Sequence, residues 1–364
     1  MNIMLFSRIL AKTGVGNHIN MLADALQRQG HNVIVVSGTQ EIMMSNNQVE
    51  FIKVDTLSRT PWQIVKTIIH LHQIIRKYNI EIVHCHHRVA AIYMAIYTLF
   101  FKIPYVYTLH SSNIPHDFFH RILTFHGECA IGVSTEVSNF LVEKLGVPSD
   151  EVVTVLNGVD DRKLEIPSLE QIKLIKREWD IPEDSLVVAL HSRIDKVKNH
   201  LLVVEAINRL TEEERQKVTV VCSGTQTGDY YNEVLTKIRE YHLESNFRFV
   251  GWVDAWKILG VSDFLFMPSL YEGFGLSVAE AFLMRIPVVR TKTAGFRDVK
   301  YCIPISEHDP MDMVELIRDA LNNGVSQYST RVQAAYDFAK EQLTAGKMAE
   351  NTLNVYRRVL NRDE

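Results

Sequence analysis

At 364 residues the chain exceeds what one core ordinarily organises and suits two domains of under two hundred residues each. Its 46% hydrophobic and 23% charged residues and net charge of −4 exclude disordered, fibrous and collagen-like classes. Basic and acidic residues balance over 1–180 and acidic residues lead slightly afterwards, which gives nucleic acid no electrostatic footing as a partner.

The opening MNIMLFSRIL reads as a first buried strand, being too short and wrongly flanked for a signal peptide. Apolar strands are then predicted over 3–7, 32–37, 49–55, 81–86, 105–110, 129–134 and 152–156. Helical patterns fall between most of them, at 16–29, 62–77 and 135–145, the last with Ser134 as its cap and Gly146 at its end. The stretch at 89–101 is the longest apolar run and falls short of the roughly 20 residues a membrane span requires. A soluble protein, cytoplasmic or at the inner face of the cell membrane, is therefore expected. Cys85, Cys129, Cys222 and Cys302 form no CxxC pair, so buried thiols are expected rather than a zinc site or a disulfide framework.

A polar turn at Asn157-Gly158-Val159-Asp160 closes this series. A second begins with strands at 186–191, 218–223, 247–251, 264–268 and 287–291, and from 311 onward the pattern is helical without strands. Strands alternating with helices, apolar on both faces, predict two doubly wound parallel α/β domains. The expected boundaries are 1–162, 163–345 and a final helix, 346–364, packing back on the first domain. In such sheets ligands gather at the carboxyl ends of strands, so strand ends are where chemistry is sought.

The segment Tyr271-Glu272-Gly273-Phe274-Gly275-Leu276 lies at such an end and opens a helix that carries Glu280. Glycines before a helix let the backbone approach a ligand, and free N–H groups of the first turn suit a phosphate. A second strand end, His191-Ser192-Arg193-Ile194-Asp195-Lys196-Val197-Lys198, places Arg193 and Lys198 on one short loop, a planar fork and a point charge suited to a diphosphate.

These residues together resemble the retaining glycosyltransferases of family 4, which have the GT-B fold of two facing Rossmann-like domains with a cleft between them. Glu272 and Glu280 are similar to that family's E-x7-E signature, Arg193 with Lys198 to its R-x4-K loop, and Asn157-Gly158-Val159-Asp160 to the N-G-V-D closing its front domain. Gly14-Val15-Gly16 resembles its first glycine loop and Thr108-Leu109-His110 its strand-end histidine. The resemblance covers essentially the whole chain. Ser192, where the family often has glycine, and Asp298, where glutamate is common, depart from the pattern.

The resemblance implies a nucleotide-sugar donor, UDP being the expected nucleotide, and no metal. Arg193 and Lys198 would hold the diphosphate, Glu280 the ribose and Glu272 the sugar hydroxyls. Gly273, Phe274, Gly275 and Leu276 would line sugar and phosphate, and Gly251 and Trp252 would adjoin the base. Gly16 would approach the phosphate and His110 the reacting sugar, so Glu272, His110, Arg193 and Lys198 are the expected catalytic set. The acceptor would be a glycan, lipid-linked or other hydroxyl, in cell-surface polysaccharide synthesis, with peripheral membrane contact. The residues themselves add the mixed apolar and basic helix at 62–77 and the apolar run to 101 ending in Lys102, for which packing on the front sheet is the plainer account.

His84, His86, His87, His116, His120 and His126 are numerous, but no carboxylate accompanies them at ligand spacing. A nicotinamide dehydrogenase is disfavoured, because Ile19 stands where the third glycine would be and the second strand ends at Ser37 without an acid. A GT-B sugar-nucleotide epimerase and a non-catalytic nucleotide-sugar binding protein are the alternatives.

Overall fold

A computed structural model describes residues 1–58 and 60–361. The chain forms two compact units, Met1–Asp160 with Gln342–Glu364, and Asp161–Glu341.

The first unit holds seven parallel strands: β1 (Asn2–Ser7), β2 (Asn32–Ser37), β3 (Glu50–Lys53), β4 (Ile82–Cys85), β5 (Tyr105–Leu109), β6 (Cys129–Gly132) and β7 (Val152–Thr154). They lie in the order β3-β2-β1-β4-β5-β6-β7. Alternate residues of β1 point to opposite faces, yet Ile3, Met4, Leu5 and Phe6 are all buried, so helices cover the sheet on both sides. On one face Ile3 and Leu5 share a core with the helices Gly14–Arg28 and Ala345–Leu360; on the other, Phe6 meets Tyr93 of the helix Arg88–Thr98. Ser134 caps the helix Thr135–Glu143 by accepting from the Val137 N–H, and Gly146 takes a positive φ just beyond it.

The second unit repeats the plan with β8 (Leu186–His191), β9 (Val218–Ser223), β10 (Phe247–Gly251), β11 (Phe264–Met267), β12 (Val288–Thr291) and β13 (Ile303–Ile305), all parallel in the order β10-β9-β8-β11-β12-β13. In both sheets the strand order thus reverses beside the first strand, between β1 and β4 and between β8 and β11. That crevice is where open α/β sheets take ligands.

Several strands are shorter at their carboxyl ends than the apolar pattern predicts. His86 and His110 fall just past β4 and β5, beyond the paired registers, which leaves their side chains at the sheet edge. The short edge strand β13 was not expected. Pro304 sits at its centre, tolerated because only β12 pairs with it.

The return to the first unit comes at Gln342, four residues before the expected 346. Backbone hydrogen bonds fix that point: the Val159 N–H donates to the Leu343 carbonyl at 2.9 Å, and the Ala345 N–H donates to the Val159 carbonyl at 2.8 Å. Gly158 permits the crossing, since a Cβ there would lie 2.1 Å from the Thr344 carbonyl oxygen. Gly158→Ala must push this backbone apart and should cost about 1–3 kcal/mol. Gly14→Ala, with nothing within 4 Å of the added carbon, should be neutral or slightly stabilising. Urea unfolding of both variants checks the pair, and equal midpoints would show that the crossing yields without cost.

Candidate active site

In the second unit the loops after β8 and β11 flank the switch point. After β8, the Asp195 side chain accepts from the Lys198 N–H at 3.1 Å, capping a single turn, Lys196–Lys198, that aims the Lys198 ammonium inward. After β11, the Leu270 N–H donates to the Val197 carbonyl at 2.8 Å and ties the two loops together. Lys198 Nζ consequently meets Glu272 Oε1 at 2.6 Å, although 74 positions separate them in sequence. The side chains are 17% and 8% exposed, so this is a largely buried ion pair. Ser269 Oγ donates to the same oxygen at 2.8 Å. Burial alone would raise the Glu272 carboxyl, but the Lys198 charge and hydrogen bond, the Arg290 charge and the Ser269 hydroxyl outweigh it and hold the group below its usual range.

Gly273 and Phe274 lead into the helix Leu276–Leu283, whose cap position, Gly275, has φ +92° and supplies no side-chain hydrogen bond. The first N–H groups of that helix therefore carry its positive dipole end without a side-chain cap. Ser277 Oγ donates to the His191 carbonyl at 2.8 Å, which anchors this end to β8. Arg290 of β12 was not foreseen. It is fully buried, and its guanidinium donates to the carbonyls of Phe274 and Ala294 and to Thr293 Oγ1, each at 3.0 Å. It thereby holds the glycine loop in shape from beneath. A pattern reading places a permanent cation inside a strand only with difficulty, because buried arginine is rare.

Arg193 stands apart from the ion pair. It is half-exposed, and its Nη2 lies 3.0 Å from Asp195 Oδ2. Glu280 lies one turn into the helix, with Oε2 3.7 Å from His191 Nε2. Burial pushes the Glu280 carboxyl up to about 7 and the His191 imidazole down to about 4. At neutral pH the histidine is uncharged and the glutamate sits near its midpoint. Gly251 and Trp252, at the end of β10, line a recess of about 710 Å³ with Gly224, Thr225, Gln226 and Arg248. Trp252 is half-exposed, and its indole N–H donates to Thr225 Oγ1 at 3.0 Å.

In the first unit His110 follows β5 and meets His86 and His18, with His86 Nδ1 3.2 Å from His110 Nε2. Burial, reinforced by the neighbouring imidazoles, holds His110 well below the ordinary histidine range. Gly16 lies in the first turn of the helix Gly14–Arg28. Its N–H donates to the Thr13 hydroxyl at 3.3 Å, and a Cβ would strike the Ala11 carbonyl at 2.0 Å. Its smallness is thus required by local packing. The structure unites Glu272, Lys198, Arg193, Glu280 and the glycine loop in one unit, and places His110 and Gly16 in the other.

The family model described as Glycosyltransferase Family 4 matches residues 12–163, and that described as Glycosyl transferases group 1 matches 171–338. N-acetyl-alpha-D-glucosaminyl L-malate synthase of Bacillus anthracis is 27% identical over 239 residues, 62% of this chain and 60% of that protein. Among solved structures, a glycosyltransferase from Rickettsia africae is 20% identical with a TM-score of 0.85, covering 99% of this chain and 98% of that one. Anabaena HepE, solved in complex with UDP, is 16% identical with a TM-score of 0.85, covering 98% of this chain and all of that one. Two consecutive family matches over nearly the whole length, on a fold shared end to end, establish that the chain belongs to the family 4 glycosyltransferases of the GT-B type.

Proposed function

We propose that this glycosyltransferase acts with retention, moving a sugar from a UDP-sugar to a hydroxyl of a glycan or lipid-linked acceptor. The observation that carries the donor half is the buried Lys198–Glu272 pair beside the helix end at Gly275. A nucleoside diphosphate leaving group gains negative charge as the anomeric bond breaks. Uncapped helix N–H groups, Lys198 and Arg193 lie on two adjacent loops of one unit, and we assign them to receive it. Lys198 also keeps Glu272 ionised, so that its carboxylate can accept hydrogen bonds from sugar hydroxyls. Glu280 is assigned to the ribose and the recess at Gly251 and Trp252 to the base. HepE, which shares the fold, has been solved with UDP, and this supports the choice of nucleotide.

In Arg193→Ala, turnover should fall about 10²–10³-fold. Its stability should hardly change, because an exposed ion pair contributes about 0–1 kcal/mol. Lys198→Ala should lose turnover and also about 3–5 kcal/mol of stability, since it strands the buried Glu272 carboxylate. UDP release in the presence of acceptor, read beside urea unfolding, separates the two effects. Near wild-type turnover of Arg193→Ala at saturating donor would remove Arg193 from the site. The anomeric configuration of the product, followed by NMR, tests retention, and inversion would refute it.

Glu280 supplies a pH signature. Its folded-state value of about 7 lies above the ordinary 4.5, so the folded protein binds this proton more tightly than the unfolded chain. Its contribution to stability is fully present below about 4.5 and is lost as pH rises through 7, up to about 3 kcal/mol in all. Glu280→Gln should flatten that part of the stability–pH curve and weaken donor binding. Parallel curves for the two proteins would place the titration elsewhere.

We also propose that the acceptor is met at a membrane surface. Among the described residues no helix is long and apolar enough to cross a membrane. On the helix Pro61–Lys77, Ile68, Leu71, Ile74 and Ile75 are buried, as packing on the sheet requires. Trp62, Val65 and Ile69 nevertheless face outward on one stripe, with Lys66 over the Trp62 ring. Leu99 and Phe100 are exposed just before Lys102. Apolar groups set among cations suit anionic lipid. The protein should sediment with anionic liposomes at low salt, less so at physiological salt, and Trp62→Ser/Ile69→Ser should weaken this. Retention in the supernatant at both salts, with a soluble acceptor, would overturn the membrane reading.

A further inference from the structure

The first sheet carries two cations at its switch point that the donor assignments do not use. Ser7, the last residue of β1, meets His87, just past the end of β4, with Ser7 Oγ 2.6 Å from His87 Nδ1. Each of these residues is followed directly by an arginine, Arg8 and Arg88, so this contact brings both arginines to one edge. β1 and β4 are neighbours in the sheet, and the crevice between them is where such sheets take ligands.

Arg8 and Arg88 are both partly buried, and among the described residues neither forms an ion pair. Arg88 Nη2 donates to the Pro115 carbonyl at 3.2 Å, whereas Arg88 Nε is buried without a partner. A buried donor of a charged group is costly to leave unpaired, and an anionic acceptor removes that cost. Arg88 is also the first residue of the helix Arg88–Thr98, which has no side-chain cap and no acidic residue in its first turn. Its free N–H groups and positive dipole end therefore stand at the same edge. Burial, reinforced by the Arg8 charge, takes the His87 imidazole down to about 4. At neutral pH the histidine is uncharged, and the positive charge here belongs to the two arginines and the helix end.

We propose that Arg8, Arg88 and the N-terminus of the helix Arg88–Thr98 bind a phosphate group carried by the acceptor. Phosphate oxygens accept from planar guanidinium forks and from helix N–H groups alike. The proposal rests on the reading of the chain as a transferase with a glycan or lipid-linked acceptor, and it names the group by which that acceptor is held. Lys198, Arg193 and the helix end at Gly275 belong to the second unit, so the two anion sites are made of different residues. The loop that Arg88 holds at Pro115 runs on into Phe118, Phe119, Ile122 and Leu123, all exposed. A phosphate at Arg88 thus has apolar side chains next along the same loop, which favours a lipid phosphate over a free one.

The test saturates the full chain with UDP, so that the donor contacts are occupied. It then titrates inorganic phosphate, and dodecyl phosphate below its micelle concentration, read by calorimetry and thermal unfolding. One saturable equivalent and a raised Tm are expected. Arg8→Gln and Arg88→Gln should each lower phosphate affinity by at least about tenfold, as loss of a charge-assisted hydrogen bond does. Arg88→Lys, which keeps the charge without the fork, should recover part of the loss. UDP affinity of these variants should match wild type, which also shows that they fold. Lys144→Ala, an exposed cation of the same unit, should bind phosphate as wild type does. Absence of UDP binding by wild type would count against the donor reading alone, because the arginine variants still report on this site. Tighter binding of dodecyl phosphate marks a lipid phosphate and equal binding a free phosphate ester, and either supports the site. The proposal is overturned if UDP-saturated wild type takes up no phosphate, or if the Arg8 and Arg88 variants bind it as wild type does.

Discussion

Two parallel strands cannot be joined by a tight turn; every connection must cross a face of the sheet and return to the same starting edge. In both units this leaves one edge where strand ends, glycine turns and helix N-termini collect, and the strand order opens that edge beside the first strand. The sheets are apolar on both faces, so side chains able to do chemistry have nowhere else to converge. Lys198 and Glu272, 74 positions apart, meet because β8 and β11 are neighbours. His18, His86 and His110 meet because β1, β4 and β5 are.

The second unit then solves a charge problem. A carboxylate as buried as Glu272 would ordinarily take up a proton. The ammonium of Lys198, a hydroxyl from Ser269 and the nearby Arg290 keep it ionised. Arg290 in turn is tolerated because the Phe274 carbonyl of the glycine loop and two oxygens of the loop after β12, at Thr293 and Ala294, receive its N–H groups. The loop therefore needs the arginine to keep its shape, and the arginine needs the loop to be buried at all. Glu280, one turn into the helix, lacks such a cation and drifts toward neutrality instead. Two carboxylates eight positions apart acquire opposite tendencies from their surroundings alone.

Most of the architecture was legible in the sequence, because strands buried on both faces leave continuous apolar runs that glycines and caps punctuate. The exceptions are physical. Strand β13 is three residues long with a proline at its centre, and an edge strand needs no central donor to pair on one side. The loop carrying Arg193 and Lys198 and the segment holding Glu272 and Glu280 were recognisable because their spacing is local. Their mutual contact was not, since it depends on strand order. Arg290 escaped because nothing in the run Val288–Thr291 signals that a loop will wrap its guanidinium. The histidines were read along the chain, where His18 stands far from the others; it belongs with His86 and His110 only in three dimensions.

The turn Asn157-Gly158-Val159-Asp160 shows how one short motif can serve several demands. Gly158 lets the backbone at Thr344 pass at a distance no side chain would allow, and Val159 hydrogen-bonds the returning chain on both of its backbone groups. Asn157, one residue earlier, orients His18. The returning helix contributes Tyr356, whose hydroxyl meets His84 beneath the same cluster. The final helix thus does more than cover an apolar face. Its Tyr356 and Thr108 of β5 engage the two nitrogens of His84, whose ring centroid lies 4.1 Å from that of His86.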